Sequence, residues 1–152
     1  MLNNDVLRSL RYILKASDAQ MAEIAVLGGA AVEKAELIAF LKREEDEGYQ
    51  ECGDELMAHF LDGLVWFRRG KDESRPAPAL ELPLSNNQIL KKLRVAFELR
   101  DEDLQAILQA ADLPLSKSEL SALFRKPGHS NYRSCGDQLL RNFLKGLALR
   151  QA

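Results

Sequence analysis

The sequence predicts an all-α protein built from two tandem homologous four-helix units, and three observations carry that prediction. Residues 1–69 align with residues 84–152 without a gap at a constant offset of 83, and 20 of the 69 pairs are identical. Apolar residues recur at helical spacing in both copies, with no alternating β-branched stretch to compete. Between the copies, residues 70–83 carry Pro76, Pro78 and Pro83 among charges and cannot continue a helix. The predicted division is therefore a helical repeat over 1–69, a proline-rich linker over 70–83 and a second helical repeat over 84–152, the mark of internal duplication.

The first helix of each copy is marked by Val6, Leu7, Leu10, Ile13 and Leu14, repeated as Ile89, Leu90, Leu93, Ala96 and Phe97. Asn3 or Asn4, like Asn86 or Asn87, stands where an N-cap is expected. The second helices start near Asp18 and Asp101 and bury Met21, Ile24 and Ala25, or Leu104, Ile107 and Leu108. Gly28 and Gly29 end the former, and Pro114 ends the latter. The third helices carry Leu37, Phe40 and Leu41, matched by Leu120, Leu123 and Phe124, with Ser116 and Glu119 in capping-box spacing. The fourth turn Leu56, Met57, Phe60, Leu61 and Leu64, or Leu139, Leu140, Phe143, Leu144 and Leu147, to the core, and Asp54 or Asp137 supplies a carboxylate at the positive helix end. Gly63 and Gly146 interrupt these helices at a cost of about 1 kcal/mol each relative to alanine, which predicts close approach by another backbone.

The formal net charge is only -2, from 21 basic and 23 acidic side chains, so no global field points to nucleic acid or an anionic membrane. The copies differ: residues 1–69 carry 8 basic and 13 acidic side chains, residues 84–152 carry 11 and 7. Opposite charging of two copies predicts that the halves attract each other or that the basic half meets an acidic partner. The longest run without a charged or polar side chain, residues 24–32, is far short of a membrane span, and the N-terminus lacks a secretory pattern. The expectation is a cytoplasmic protein with no membrane partner.

Polar residues kept in both copies are the candidate functional set, because core packing does not require them. Arg11 and Arg94 lie beside the apolar stripe of the first helix; the structural reading pairs them with carboxylates such as Asp54 and Asp137, and the sharper reading makes them anion-binding residues. Tyr49 and Tyr132, with Cys52 and Cys135, precede the fourth helices. A thiol at a helix N-terminus has a reason for a lowered pKa, but a buried free cysteine is the commoner use. His59 aligns with Asn142 and His129 with Asp46, which argues against a shared catalytic base. No metal-ligand spacing, calcium loop, phosphate loop, dinucleotide fingerprint or nucleophile elbow occurs, so catalysis, metals and cofactors are not expected.

Helices two and three have lengths suited to a helix-turn-helix, and Ala25 and Gly29 echo its small-residue and turn-glycine spacing. In the first copy Glu33, Glu36, Glu44 and Glu45 would then face phosphate; the second offers Lys117, Arg125 and Lys126 but no turn glycine.

The strings LNNDVLRSLRYILK, FLDGLVWFRRGKDESRPAP, NNQILKKLR and CGDQLLRNFLKGL, in that order, resemble the bacterial YehS-like proteins, which consist of two copies of a domain of unknown function. The resemblance covers essentially the whole chain, linker included. It implies the tandem architecture and brings no catalytic residue or ligand with it. The functional expectation is a non-catalytic protein-binding or adaptor module, with a nucleic-acid-binding regulator using the basic second repeat as the alternative. A helical face left over between the halves would suit a homo-oligomer.

Overall fold

The computed structural model describes residues 1–74, 76 and 79–151, so Pro78 of the predicted linker and the final residue of the predicted second repeat lie outside the described residues. The fold is all-α, and no strand occurs among the described residues. The helices are α1 (Asn3–Leu14), α2 (Asp18–Leu27), α3 (Lys34–Leu41), α4 (Asp54–Arg69), α5 (Asn86–Ala96), α6 (Asp101–Ala110), α7 (Lys117–Leu123) and α8 (Asp137–Gln151). They fall into two compact units, Met1–Leu84 and Ser85–Ala152, with four helices each among the described residues.

Each unit closes a core on the predicted stripes. In the first, Leu7, Leu10, Met21, Ile24, Leu37, Met57, Phe60, Leu61 and Leu64 are fully buried, and Phe143 sits at the matching centre of the second. Burying one such side chain stabilises its unit by about 1.5–3 kcal/mol. The stripes are narrower than expected in places: Phe40 and Leu56 are half-buried, and Phe97 and Phe124 sit just past their helices as C-caps.

Helix starts correct one expectation. The N-caps of α1 and α5 are Leu2 and Ser85, one residue before the asparagines, because these hold the extended backbone a cap requires. Ser85 Oγ accepts from the Gln88 N–H and Gln88 Oε1 accepts from the Ser85 N–H, whereas in the first unit only Asp5 reaches back, to the Leu2 N–H. The capping box at Ser116 and Glu119 forms as its spacing implies.

Helix ends repeat where residues do not. Lys15 (φ 53°) and its counterpart Glu98 (φ 54°) both terminate a first helix in the left-handed region, as do Gly29 (φ 102°) and Asp112 (φ 60°) after the second. Asp112 makes this turn ahead of Pro114, so the left-handed residue ends α6 and the proline, contrary to expectation, does not.

The most extensive packing in each unit is α2 on α4, or α6 on α8. A Cβ on Gly63 would stand 1.8 Å from the Ile24 carbonyl oxygen, and one on Gly28 1.7 Å from the His59 carbonyl oxygen, so the helices cross backbone to backbone. In the second unit Ala111 stands where the first has Gly28. There a Cβ on Gly146 would be 2.2 Å from the Ile107 carbonyl oxygen. His59 Nδ1 lies 2.9 Å from the Gly28 carbonyl oxygen, and its counterpart Asn142 donates Nδ2 to the Ala111 carbonyl oxygen at 3.4 Å. With Nδ1 protonated, two different side chains thus satisfy the same helix-end carbonyl.

Candidate functional site

The densest group of duplicated polar residues lies where the first helix of each unit starts, and it serves to lock the fold. Asn4, on the buried face one turn before Leu7, donates Nδ2 to the Phe40 carbonyl at 3.0 Å and the Gln50 carbonyl at 2.8 Å. Its Oδ1 accepts from the Cys52 N–H at 2.9 Å. Asn87 makes the same three bonds, to the Leu123 and Arg133 carbonyls and from the Cys135 N–H, each at 2.9 Å. One amide therefore ties the end of the third helix and the strap before the fourth to the first. Beside it Asn3 donates to the Cys52 carbonyl and to Asp54 Oδ1, and Asn86 to the Cys135 carbonyl and Asp137 Oδ1. Asp54 Oδ2 also accepts from the Leu84 N–H.

The two cysteines carry their amides into this clamp and keep their thiols buried. Burial pushes the Cys52 thiol up to about 12, with the Asp54 charge adding to it, and the Cys135 thiol up to about 11 against the opposing pull of Arg133. Both remain protonated at neutral pH, opposite to what a nucleophile needs. Tyr49 and Tyr132 are half-buried beside the clamp, and burial together with the Glu44 charge raises the Tyr49 phenol.

Arg11 and Arg94 do meet carboxylates, but not the expected ones. Arg11 pairs with Asp18 at 3.1 Å and Arg94 with Asp101 at 2.8 Å, fixing the first helix of each unit to the start of the second. Asp54 and Asp137 sit at the other end of that helix, about two turns away. Arg94 also lies over the Phe124 ring, 4.7 Å from its centroid. The duplicated Arg, Tyr, Cys and Asp side chains are thus not gathered around one point.

The basic residues of the second unit are spread as well. Lys117 opens α7, a helix of only 7 residues, while Arg125 and Lys126 lie beyond its end; all three are exposed. Among the described residues no group of three His, Cys, Asp or Glu side chains could hold a metal, and no helix is long and apolar enough to cross a membrane.

Sequence reasoning missed the connections between third and fourth helices. In residues 42–51 the Asp46 N–H donates to the Arg43 carbonyl, Tyr49 N–H to Asp46 and Gln50 N–H to Ala39. In residues 125–134 the equivalent bonds run from His129 to Lys126, Tyr132 to His129 and Arg133 to Ala122. The two connections share one backbone bonding scheme, although Tyr49/Tyr132 is their only identical pair.

Comparison with known proteins agrees with the duplication. The family model described as "Protein of unknown function (DUF1456)" matches residues 3–70 and again residues 86–151. The uncharacterised protein YehS of Escherichia coli (strain K12) is 47% identical over 151 residues, covering 99% of this chain and 97% of the relative. No solved structure matches the chain. Two matches in tandem, one for each helical unit, together with a full-length relative of the same kind, place the chain in the YehS-like DUF1456 family.

Proposed function

We propose that the protein is a non-catalytic binding module that engages another protein through apolar side chains exposed on its first unit. The observation that carries this reading is a contrast at one repeat position. Phe67, 52% exposed, stands where the second unit has Arg150, ion-paired with Asp103 at 2.7 Å. The position accepts a charge without harm to the fold, yet the first unit keeps an aromatic side chain in water there. Tyr12, 75% exposed, adds a second large ring. Exposed aromatic side chains are the usual anchors of protein interfaces. The shared polar residues support the reading from the other side, being occupied in holding each unit together. The reading places the protein in the cytoplasm, where the free thiols of Cys52 and Cys135 would stay reduced.

The test is capture from native cell extract by wild type and by Phe67→Arg/Gln20→Asp, which imports the ion pair of the second unit. The reading expects a protein retained by wild type and lost by the variant; identical capture by both would overturn it.

A second reading, nucleic-acid binding by the second unit, draws on the exposed Lys117, Arg125 and Lys126. A mobility-shift salt series decides it, since phosphate contacts weaken steeply as salt rises.

A further inference from the structure

The connection between the third and fourth helices shares its backbone hydrogen bonds between the two units and carries opposite charge in them. Three equivalent backbone hydrogen bonds shape it in each, and the buried Asn4 or Asn87 anchors its end by taking up the Gln50 or Arg133 carbonyl. On that common frame residues 42–51 present Lys42 and Arg43 against Glu44, Glu45, Asp46, Glu47 and Glu51, net -3. Residues 125–134 carry Arg125, Lys126 and Arg133 with no acid, net +3, and Arg133 is met by Glu119 of α7 at 3.4 Å, which leaves Arg125 and Lys126 as the loop's unpaired cations among the described residues. Glu44, Glu45, Glu47, Arg125 and Lys126 are exposed, and none takes part in an ion pair among the described residues. This loop supplies most of the charge difference between the copies, so divergence has concentrated there while the three backbone hydrogen bonds persist; the left-handed glycine moves from Gly48 in the first unit to Gly128, the counterpart of Glu45, in the second.

We propose that the basic loop of the second unit, through Arg125 and Lys126, docks the acidic loop of the first unit, Glu44, Glu45 and Glu47, of a second copy of this chain. The two loops carry opposite charge and are each pinned by backbone hydrogen bonds and a buried asparagine, so charge complementarity sets both orientation and partner choice. Each chain offers one loop of each kind, so every copy can both give and receive the contact. The inference uses side chains other than Phe67 and Tyr12 and stands independently of the reading above.

The test is sedimentation equilibrium of the full chain in 50 mM and 500 mM salt, over a concentration series reaching several hundred micromolar. Wild type should exceed the 17.1 kDa monomer mass at low salt. Its dissociation constant should rise at least about tenfold at high salt, where screening shortens the reach of exposed charges. Arg125→Glu/Lys126→Glu makes both loops acidic, and Glu44→Lys/Glu45→Lys makes both basic. None of the four side chains makes a hydrogen bond that shapes its loop, so unchanged circular dichroism is the expected folding control. Each variant alone should sediment as a monomer, and the equimolar mixture should associate at low salt and separate at high salt. Wild type that stays monomeric at 50 mM salt, or a mixture that does not associate, overturns the proposal. So does an oligonucleotide shifted by a monomeric wild type and released by Arg125→Glu/Lys126→Glu, which would assign the loop to nucleic acid.

Discussion

Replacing Gly63 by alanine adds one methyl group at the point where α4 crosses α2, and the structure fixes what that group meets. Its carbon would lie 1.8 Å from the Ile24 carbonyl oxygen and 2.9 Å from the Gly28 nitrogen. An ordinary carbon–oxygen contact is about 3.3 Å, so the helices must separate by roughly 1.5 Å. Both obstructing atoms are backbone, and no rotamer change relieves the clash. Overpacking of this kind costs about 3 kcal/mol, of which the higher helix propensity of alanine returns about 1 kcal/mol. A net loss of about 2 kcal/mol lowers the melting temperature of a unit this size by on the order of 10–15 °C. Trp66, the single tryptophan, lies near the end of α4, so its fluorescence follows unfolding of the first unit. Gly146→Ala should cost less, because its Cβ would start at 2.2 Å from the Ile107 carbonyl oxygen. A Trp66 melting curve for Gly63→Ala at or above the wild-type midpoint would refute the backbone-contact argument.

Asn87→Ala leaves the Cys135 N–H and the Leu123 and Arg133 carbonyls without their amide partner, and should destabilise the second unit by about 3 kcal/mol in urea titration. Asn87→Asp should fail almost as badly, because a carboxylate cannot donate to the two carbonyls. His59→Asn should be tolerated within about 0.5 kcal/mol, since Asn142 already serves the equivalent carbonyl, whereas His59→Leu should cost about 1 kcal/mol by thermal melt. The thiols give a pH dependence: with folded values of about 12 and 11 above the ordinary 9.0, the folded chain binds more protons than the unfolded one over that interval. Stability should therefore fall as pH rises above about 9, and this part of the fall should vanish in Cys52→Ala/Cys135→Ala.

Much of the fold was legible because duplication reports the period twice: a stripe that is ambiguous in one copy is resolved by its partner, as Leu10 is by Leu93. The Gly63 and Gly146 crossing was legible for the same reason, a costly residue kept in both copies. Side-chain partners were harder to read. Asn3 and Asn4 have the composition of a cap, and only burial of Asn4 one turn before Leu7 reveals a clamp; the helical register held that signal. Arg11 was matched to a carboxylate of the wrong helix, because spacing along the chain does not say which end of α1 faces which neighbour. The equivalence of His59 and Asn142, and the hydrogen bonds that the oppositely charged loops share, lie in backbone contacts that residue identity conceals.

Backbone amide hydrogen exchange at Cys52 and Cys135 reaches the clamp itself, since both N–H groups end on a buried asparagine oxygen at 2.9 Å. If one bonded frame holds both units, each amide should exchange only when its own unit unfolds, as slowly as core amides such as Leu64 and Leu147. Exchange of either cysteine amide at the pace of an exposed loop would mean that the clamp does not hold, and the reading of the shared polar residues as structural would fall with it.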